Sequence, residues 1–496
     1  MPSIIRAIKR APPPPAGGMT PPADVGVVTP PTGTGGEVPS AGTGGEVPSA
    51  GTGGVTPPLR RQVLRLALPV SGEYVLSMTV GIVDTILVGH LGAPALAAVS
   101  LASEWVFIAI ILFWGVATGA TALVARAVGA RDFATASGAL RQSMLIAALI
   151  GLAATALAVA LAGPALALMG AAPRVMADGA TYLRIVALVF PLHAVMYVGN
   201  ACLRGAGHTR TAMGVMAVVN LLNIAVAWLL INGPLGLPRL GVAGSALGAL
   251  AGRSGGGLLV IALLLRGRAG LKLELGRPVL DLGLVRRMLR VGLPTGVEQM
   301  AWRLGTMAFA RTVASIGTVA VAAHAVVLST ESLAFMPGFG FAVAATALVG
   351  QYLGAGDPWR AERGGYITFQ MAALVMGLGG LILFLFPHPF IGLFTDDPAV
   401  LRNAVLPLRI ICIVESPQAA AFVFSAGLRG AGDTRYPMLV TTATIWLIRV
   451  PAALLLGLGM GLGLAGAWAG VALDLTVRAV FYTRRFRRGG WKLIQV

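Results

Sequence analysis

The chain has 496 residues, 56% of them hydrophobic and only 11% charged, with a formal net charge of +18 and a mean hydropathy of +0.82. A soluble domain carries roughly a quarter of its residues as Asp, Glu, Lys and Arg, so this composition excludes a water-covered globule and implies lipid over much of the exterior. The positive charge is not a nucleic-acid surface: Lys and Arg lie almost wholly in short gaps between apolar runs, with no basic face or set of stacking aromatics. Cys202 and Cys412 stand alone in apolar stretches, which excludes a disulfide framework and a zinc site.

Residues 1–58 are rich in Pro, Gly and Thr and include a nine-residue repeat, Gly33–Ala41 followed by Gly42–Ala50. Such a stretch buries too little apolar surface to offset its ordering entropy, so a disordered cytoplasmic tail is expected. It lacks the apolar core of a secretory signal peptide.

From residue 59 onward twelve apolar runs follow, each near or above the ~20 residues that cross a bilayer core. The expected spans are 64–90, 96–125, 138–163, 179–203, 210–231, 240–265, 289–313, 319–349, 366–387, 402–427, 436–458 and 461–483. They divide the chain into an N-terminal six-helix bundle (59–266), a cytoplasmic linker (267–288), a C-terminal six-helix bundle (289–483) and a basic tail (484–496). One set of gaps is basic: Arg60, Arg61 and Arg65; Arg126, Arg131 and Arg141; Arg204 and Arg210; Arg266 through Arg290; Arg360 and Arg363; Arg429 and Arg435; Arg484 through Lys492. The alternate set holds little beyond Arg174, Arg239 and Arg402. That alternation fits a multi-pass protein with both termini in the cytoplasm.

The chain also matches itself at one constant shift of 225 positions, from Leu64 to Leu289. Leu68-Pro69 recurs as Leu293-Pro294, Glu73 as Glu298, and Thr121-Ala-Leu-Val124 as Thr346-Ala-Leu-Val349. Leu203-Arg-Gly-Ala-Gly207 recurs as Leu428-Arg-Gly-Ala-Gly432. Each half therefore holds six spans and enters the membrane from the same side, which makes parallel repeats about the membrane normal. The predicted fold is all-α: twelve transmembrane helices in two parallel-repeat six-helix bundles around a central cavity. Such a seam can open to either face by rocking, so alternating access is the expected mechanism.

The shared segments carry a family resemblance. Gly81-Ile-Val-Asp84-Thr85 followed by Val88-Gly-His-Leu-Gly92, both Leu-Arg-Gly-Ala-Gly copies, and Phe335-Met-Pro-Gly-Phe-Gly-Phe341 running into Thr346-Ala-Leu-Val-Gly-Gln351 resemble the MATE (multidrug and toxin compound extrusion) family over roughly residues 60–490. The resemblance implies a multidrug efflux antiporter of the cell inner membrane. Such a protein exchanges H⁺ or Na⁺ for organic cations or amphipathic compounds. No cofactor is implied beyond the coupling ion, and the lipid bilayer is the only other partner expected of a monomer.

An ionisable side chain inside a membrane costs about 2.5–3.5 kcal/mol on insertion scales, so it usually faces a cavity or a partner. By resemblance, Asp84 matches the first-helix acid that couples the ion in the N-terminal bundle; otherwise it is a hydrated interfacial residue. In related members that site adds an Asn and an Asp from the fifth span and a Thr from the sixth. Asn223 matches the Asn, whereas Ala227 and Ala249 stand at the other two positions. A hard cation wants several oxygen ligands, so this substitution pattern favours H⁺. Asn220 and Asn223 alternatively bond neighbouring helices.

Glu73 and Glu298 are repeat mates suited to gating or cation attraction, or to an interfacial hydrogen bond. Glu331 lies mid-span ahead of Pro337 and is a candidate proton or substrate site, as are Glu104 and Glu415. Arg253, Arg303 and Arg449 are fixed charges within spans, candidate counter-ions for Glu298, Glu331 or Glu415. Asp474 and Arg478, at i and i+4, suit an intrahelical ion pair. Trp105, Met300, Trp302 and Phe335 suit an adaptable apolar lining or ordinary packing.

A flippase of lipid-linked saccharide precursors is the alternative function, since the same three arginines would build a cationic groove for phosphates. An enzyme is not expected. No His-Glu-x-x-His, Gly-x-Ser-x-Gly or Walker-type loop appears, and His90, His193, His208, His324 and His388 do not cluster.

Overall fold

The structure is a computed structural model that describes residues 57–233, 238–267, 270–274 and 280–495. The expected tail lies outside the described residues up to residue 56, as do parts of the expected linker. Among the described residues all regular structure is helical.

Helices α1 (Leu59–Gly89), α2 (Ala93–Gly129) and α3 (Phe133–Leu168) are followed by α4 (Pro173–Ala187) and α5 (Phe190–Gly205), then α6 (Thr209–Asn232) and α7 (Val242–Leu265). The second half repeats the order: α8 (Leu282–Ile316), α9 (Thr318–Gly354), α10 (Pro358–Leu385), a short α11 (Pro387–Ile391), α12 (Pro398–Ile413) and α13 (Glu415–Gly430). It closes with α14 (Arg435–Thr444), α15 (Val450–Ala452) and α16 (Gly463–Arg488). Two π-helical turns, Ile445–Arg449 and Ala453–Gly459, join α14 and α15 into one span from Arg435 to Gly459.

Among the described residues nine helices are long and apolar enough to cross a membrane, and two bent pairs, α4 with α5 and α12 with α13, pass together. The twelfth span is α8. It is the repeat mate of α1 and carries Arg286, Arg287, Arg290, Glu298, Arg303 and Arg311 along its length. The protein is thus a multi-pass membrane protein of twelve spans in two six-helix bundles. Lipid accounts for its exposed apolar stripes: Leu374, Leu378, Leu381 and Leu385 line one face of α10 and are all half-exposed or more. A soluble monomer would not leave such a run uncovered.

Three expectations need correction. Spans 179–203 and 402–427 are not single helices: they bend by 56° between α4 and α5 and by 53° between α12 and α13. Pro191 and Pro417 stand just past the two breaks. Each lacks the N–H that would continue the ladder from the preceding helix. The helix α8 begins inside the expected linker, at Leu282, because Asp281 caps it by accepting from the Gly283 and Leu284 amides at 2.9 and 3.1 Å. The last helix runs to Arg488, five residues beyond the expected end at 483, and stops at Gly489, whose left-handed backbone (φ 72°) suits glycine.

The two bundles meet along α1 with α9 and along α2 with α8 and α9. The close backbone approaches at glycine fall toward the end of the molecule that carries the Arg-rich gaps. A Cβ on Gly129 would overlap the Gln351 carbonyl, and one on Gly354 would overlap the Arg126 carbonyl. Gly115 and Gly292 make the same kind of contact between α2 and α8, as do Gly340 and Ala67 between α9 and α1. Ser71 Oγ donates to the Pro337 carbonyl at 3.0 Å, and Tyr352 Oη donates to Gln62 Oε1 at 2.6 Å. Above this closed end, Tyr74 of α1 stacks on Phe339 of α9 at 5.1 Å, and Phe339 stacks on Phe422 at 5.0 Å. Phe335 packs edge-on against both Phe339 and Phe422 and completes an aromatic layer across the seam.

Candidate functional site

In the N-terminal bundle, Asp84 occupies the last two turns of α1, away from the closed end. Its Oδ2 accepts from Asn223 Nδ2 of α6 at 3.2 Å, and its Oδ1 is buried without a partner. The sequence-expected pair is therefore assembled, bridging α1 and α6. Tyr182 of α4 and Arg253 of α7 lie within electrostatic reach of Asp84. Ala227 and Ala249, both buried, offer no oxygen at the two remaining positions. One turn before Asn223, the Nδ2 of Asn220 is buried without a partner.

The C-terminal bundle holds a second group. Glu331 of α9 is 4% exposed and accepts from Gln418 Nε2 of α13 at 3.5 Å. Glu415 opens α13, immediately after the break, and is 1% exposed; neither of its carboxylate oxygens has a partner. A helix N-terminus favours negative charge there, and Glu331 lies within electrostatic reach. Beside them Asp474 is fully buried between Arg449, at 2.7 Å, and Arg478, at 2.7 Å. Arg449 sits in the first π-helical turn, which widens the helix so that its side chain points across to α16.

Glu73 and Glu298 are not open gate residues. Arg204 Nη1 binds Glu73 Oε1 at 2.8 Å, and Arg429 Nη2 binds Glu298 Oε1 at 2.6 Å. The two copies differ in completeness. Thr441 also donates to Glu298 at 2.8 Å, whereas Glu73 Oε2 is buried and unpartnered.

The arginine assignments change as well. Arg303 pairs with Glu104, joining α8 to α2 across the seam, and lies over the Phe107 ring at 4.8 Å. Arg449 pairs with Asp474. Arg253 neighbours Asp84 and Tyr182. Arg449 also lies within electrostatic reach of Glu331, one of the expected acids. None of the three holds Glu298, because Arg429 at the end of α13 reaches inward to it, as Arg204 at the end of α5 reaches Glu73. The Asp474–Arg478 pair is present. Trp105 packs on the N-terminal core and Phe335 joins the aromatic layer, while Met300 and Trp302 lie half-buried on α8. The described residues hold no cluster of three metal-ligating side chains.

Twelve spans, two like bundles and buried charges gathered inside each bundle define a membrane transporter rather than an enzyme. The MatE family model matches twice, over residues 69–229 and 294–455, and the chain belongs to this family. A Thermotoga maritima protein described as a probable multidrug resistance protein NorM is 33% identical over 88% of this chain and 94% of its own length. The multidrug resistance protein NorM of Burkholderia vietnamiensis is 31% identical over 85% of this chain and 92% of its own length. The solved structure of a MOP superfamily transporter from Pyrococcus furiosus shares the fold at a TM-score of 0.82, with 23% identity, covering 88% of this chain and 97% of that one.

Proposed function

We propose that the protein is a secondary antiporter that exports organic cations or amphipathic compounds in exchange for protons, by alternating access between its two bundles. Support for export comes from the family and from relatives described as multidrug resistance proteins. The observation that carries proton coupling is Asp84: a carboxylate with one unpartnered buried oxygen, one amide neighbour, and alanines where further oxygen ligands would be needed to cage sodium. Protonation removes the charge and its cost of burial, and so biases the N-terminal bundle between two arrangements.

The C-terminal bundle adds a second proton. Glu331, Glu415 and Asp474 place three carboxylates against Arg449 and Arg478, so neutrality of this group requires one acid to stay protonated, shared by Glu331 and Glu415. The two bundles, α1–α7 and α8–α16, lie in the cytoplasmic membrane with the Arg-rich end and both termini inside, and work as a monomer. A lipid-linked saccharide flippase is less well supported, because Arg303 and Arg449 are already paired with acids and do not form a free cationic groove.

The test is efflux of ethidium from proteoliposomes under imposed H⁺ or Na⁺ gradients, comparing wild type with Asp84→Asn. Proton-driven efflux lost in the variant supports the reading. Unchanged efflux in the variant, or uptake of labelled lipid-linked sugar in place of ethidium, overturns it.

A further inference from the structure

Arg253 and Arg478 are the same residue in the two repeats, 225 positions apart, but their surroundings differ. Arg478 is held by an acid one turn earlier on its own helix, through Nε to Asp474 Oδ1 at 2.7 Å and Nη2 to Asp474 Oδ2 at 2.8 Å. The position one turn before Arg253 is Ala249. Arg253 therefore has no acid on its own helix at that spacing, and its Nη1 is buried without a hydrogen-bond partner. The residue beside it, Gly252, packs directly on Asn223, where a Cβ would come within 3.1 Å of the Asn223 Cβ. Asn223 in turn bonds Asp84 at 3.2 Å. Asp84, Tyr182 and His193, from α1, α4 and α5, are the titratable groups that feel the guanidinium.

We propose that Arg253 is the ion-selectivity residue of the Asp84 site: its guanidinium stands where a metal ion's charge would otherwise be needed, and so excludes sodium. The inference rests on Asp84 as the coupling group. An arginine does not shed its proton, so the charge is permanent. Two unit charges about 6 Å apart at an effective dielectric of about 20 oppose each other by about 100-fold in binding, and a guanidinium within electrostatic reach of Asp84 acts on that scale. A proton tolerates this opposition, because its bond to the carboxylate is covalent and needs no second ligand. Sodium wants several oxygen ligands, and Ala227 and Ala249 add none beside Asp84 and Asn223. The repeat-mate arginine, Arg478, lies in the other bundle, on Asp474.

The experiment measures equilibrium binding of ²²Na⁺ to the purified full chain and, in proteoliposomes, efflux of ethidium driven by pH or sodium gradients. Arg253→Gln removes the charge. Arg253→Met removes it as well, without adding an oxygen at the site. The expected result is that wild type binds no measurable sodium, while either variant gains saturable binding at least about tenfold tighter and a sodium-driven component of efflux. Adding Asp84→Asn to either variant abolishes the gain. Two folded variants that bind sodium no better than wild type overturn the proposal, as does wild type binding sodium through Asp84. Wild-type efflux that survives Asp84→Asn instead removes the coupling reading beneath it, whatever the sodium result, so the two failures are distinguishable.

Discussion

Arg126 and Gln351 hold the same place in the two repeats, and each reaches across the seam to the other bundle's backbone. Arg126 Nη2 donates to the Ala431 carbonyl at 3.0 Å, and Gln351 Nε2 donates to the Gly205 carbonyl at 2.8 Å. Both acceptors lie at the end of the helix that follows a proline break, α13 and α5. Those end carbonyls have no partner within their own helices. The Arg-rich end is thus locked by two reciprocal bonds related by the axis between the bundles.

Removing both donors loosens this end without touching either ion site. In the Arg126→Ala, Gln351→Ala double variant, spin labels on the ends of α2 and α9 are expected to show a longer-distance population that is minor in wild type. An unchanged distance distribution counts against the lock.

The buried Glu–Arg pairs are expected to differ in worth. Arg429→Ala leaves Glu298 charged and 3% exposed, which costs about 3–5 kcal/mol, in the range for breaking a buried pair. Arg204→Ala costs less, because Glu73 already leaves one oxygen unpartnered in wild type. Melting temperatures in detergent separate the two, and equal losses contradict the asymmetry.

In the C-terminal carboxylate group, Glu415→Gln is expected to keep or raise the melting temperature at neutral pH, since it fixes one member of the group in the neutral form that the shared proton otherwise supplies. Its efflux falls by at least an order of magnitude. Asp474→Asn does the opposite to stability and costs about 3–5 kcal/mol, because Arg449 and Arg478 lose their shared partner. A Glu415→Gln variant that unfolds, or that transports normally, rules out the shared proton.

At the membrane surface, hydrogen bonds from Thr135 hold the Asp132 carboxyl below the usual carboxylate range. Asp132 caps α3, accepting from the Thr135 amide at 2.9 Å. A depressed folded-state pKa means that the stabilisation is complete above the unfolded value near 3.9 and disappears as pH falls through the folded one. Asp132→Ala should therefore melt below wild type at pH 7, and the gap should close on strong acidification. A gap that persists there locates the effect elsewhere.

The architecture was legible because hydropathy and the constant 225-position shift are properties of the chain alone. The pairing of Asp84 with Asn223 was also legible, through the family resemblance. The helix breaks were not read from Pro191 and Pro417, although a proline in mid-span is the available signal. Arg204 and Arg429 were read as surface charges because loop arginines normally report orientation. Their duplication alongside Glu73 and Glu298 held the better clue: opposite charges kept at one shift in both halves are a pair in each. No pattern could assign Arg303 to Glu104 or Arg449 to Asp474, since those partners meet only when separate helices pack.

The glycine crossings at the Arg-rich end bear on how easily the bundles part. Where Gly129 faces the Gln351 carbonyl and Gly354 faces that of Arg126, main chain rests on main chain, and the side chains that cross there, Arg126 and Gln351, hold by hydrogen bonds. Surfaces that smooth separate without rotamers having to unlock, so the barrier to opening is set by a handful of polar bonds. A single added methyl at either glycine would act as a wedge.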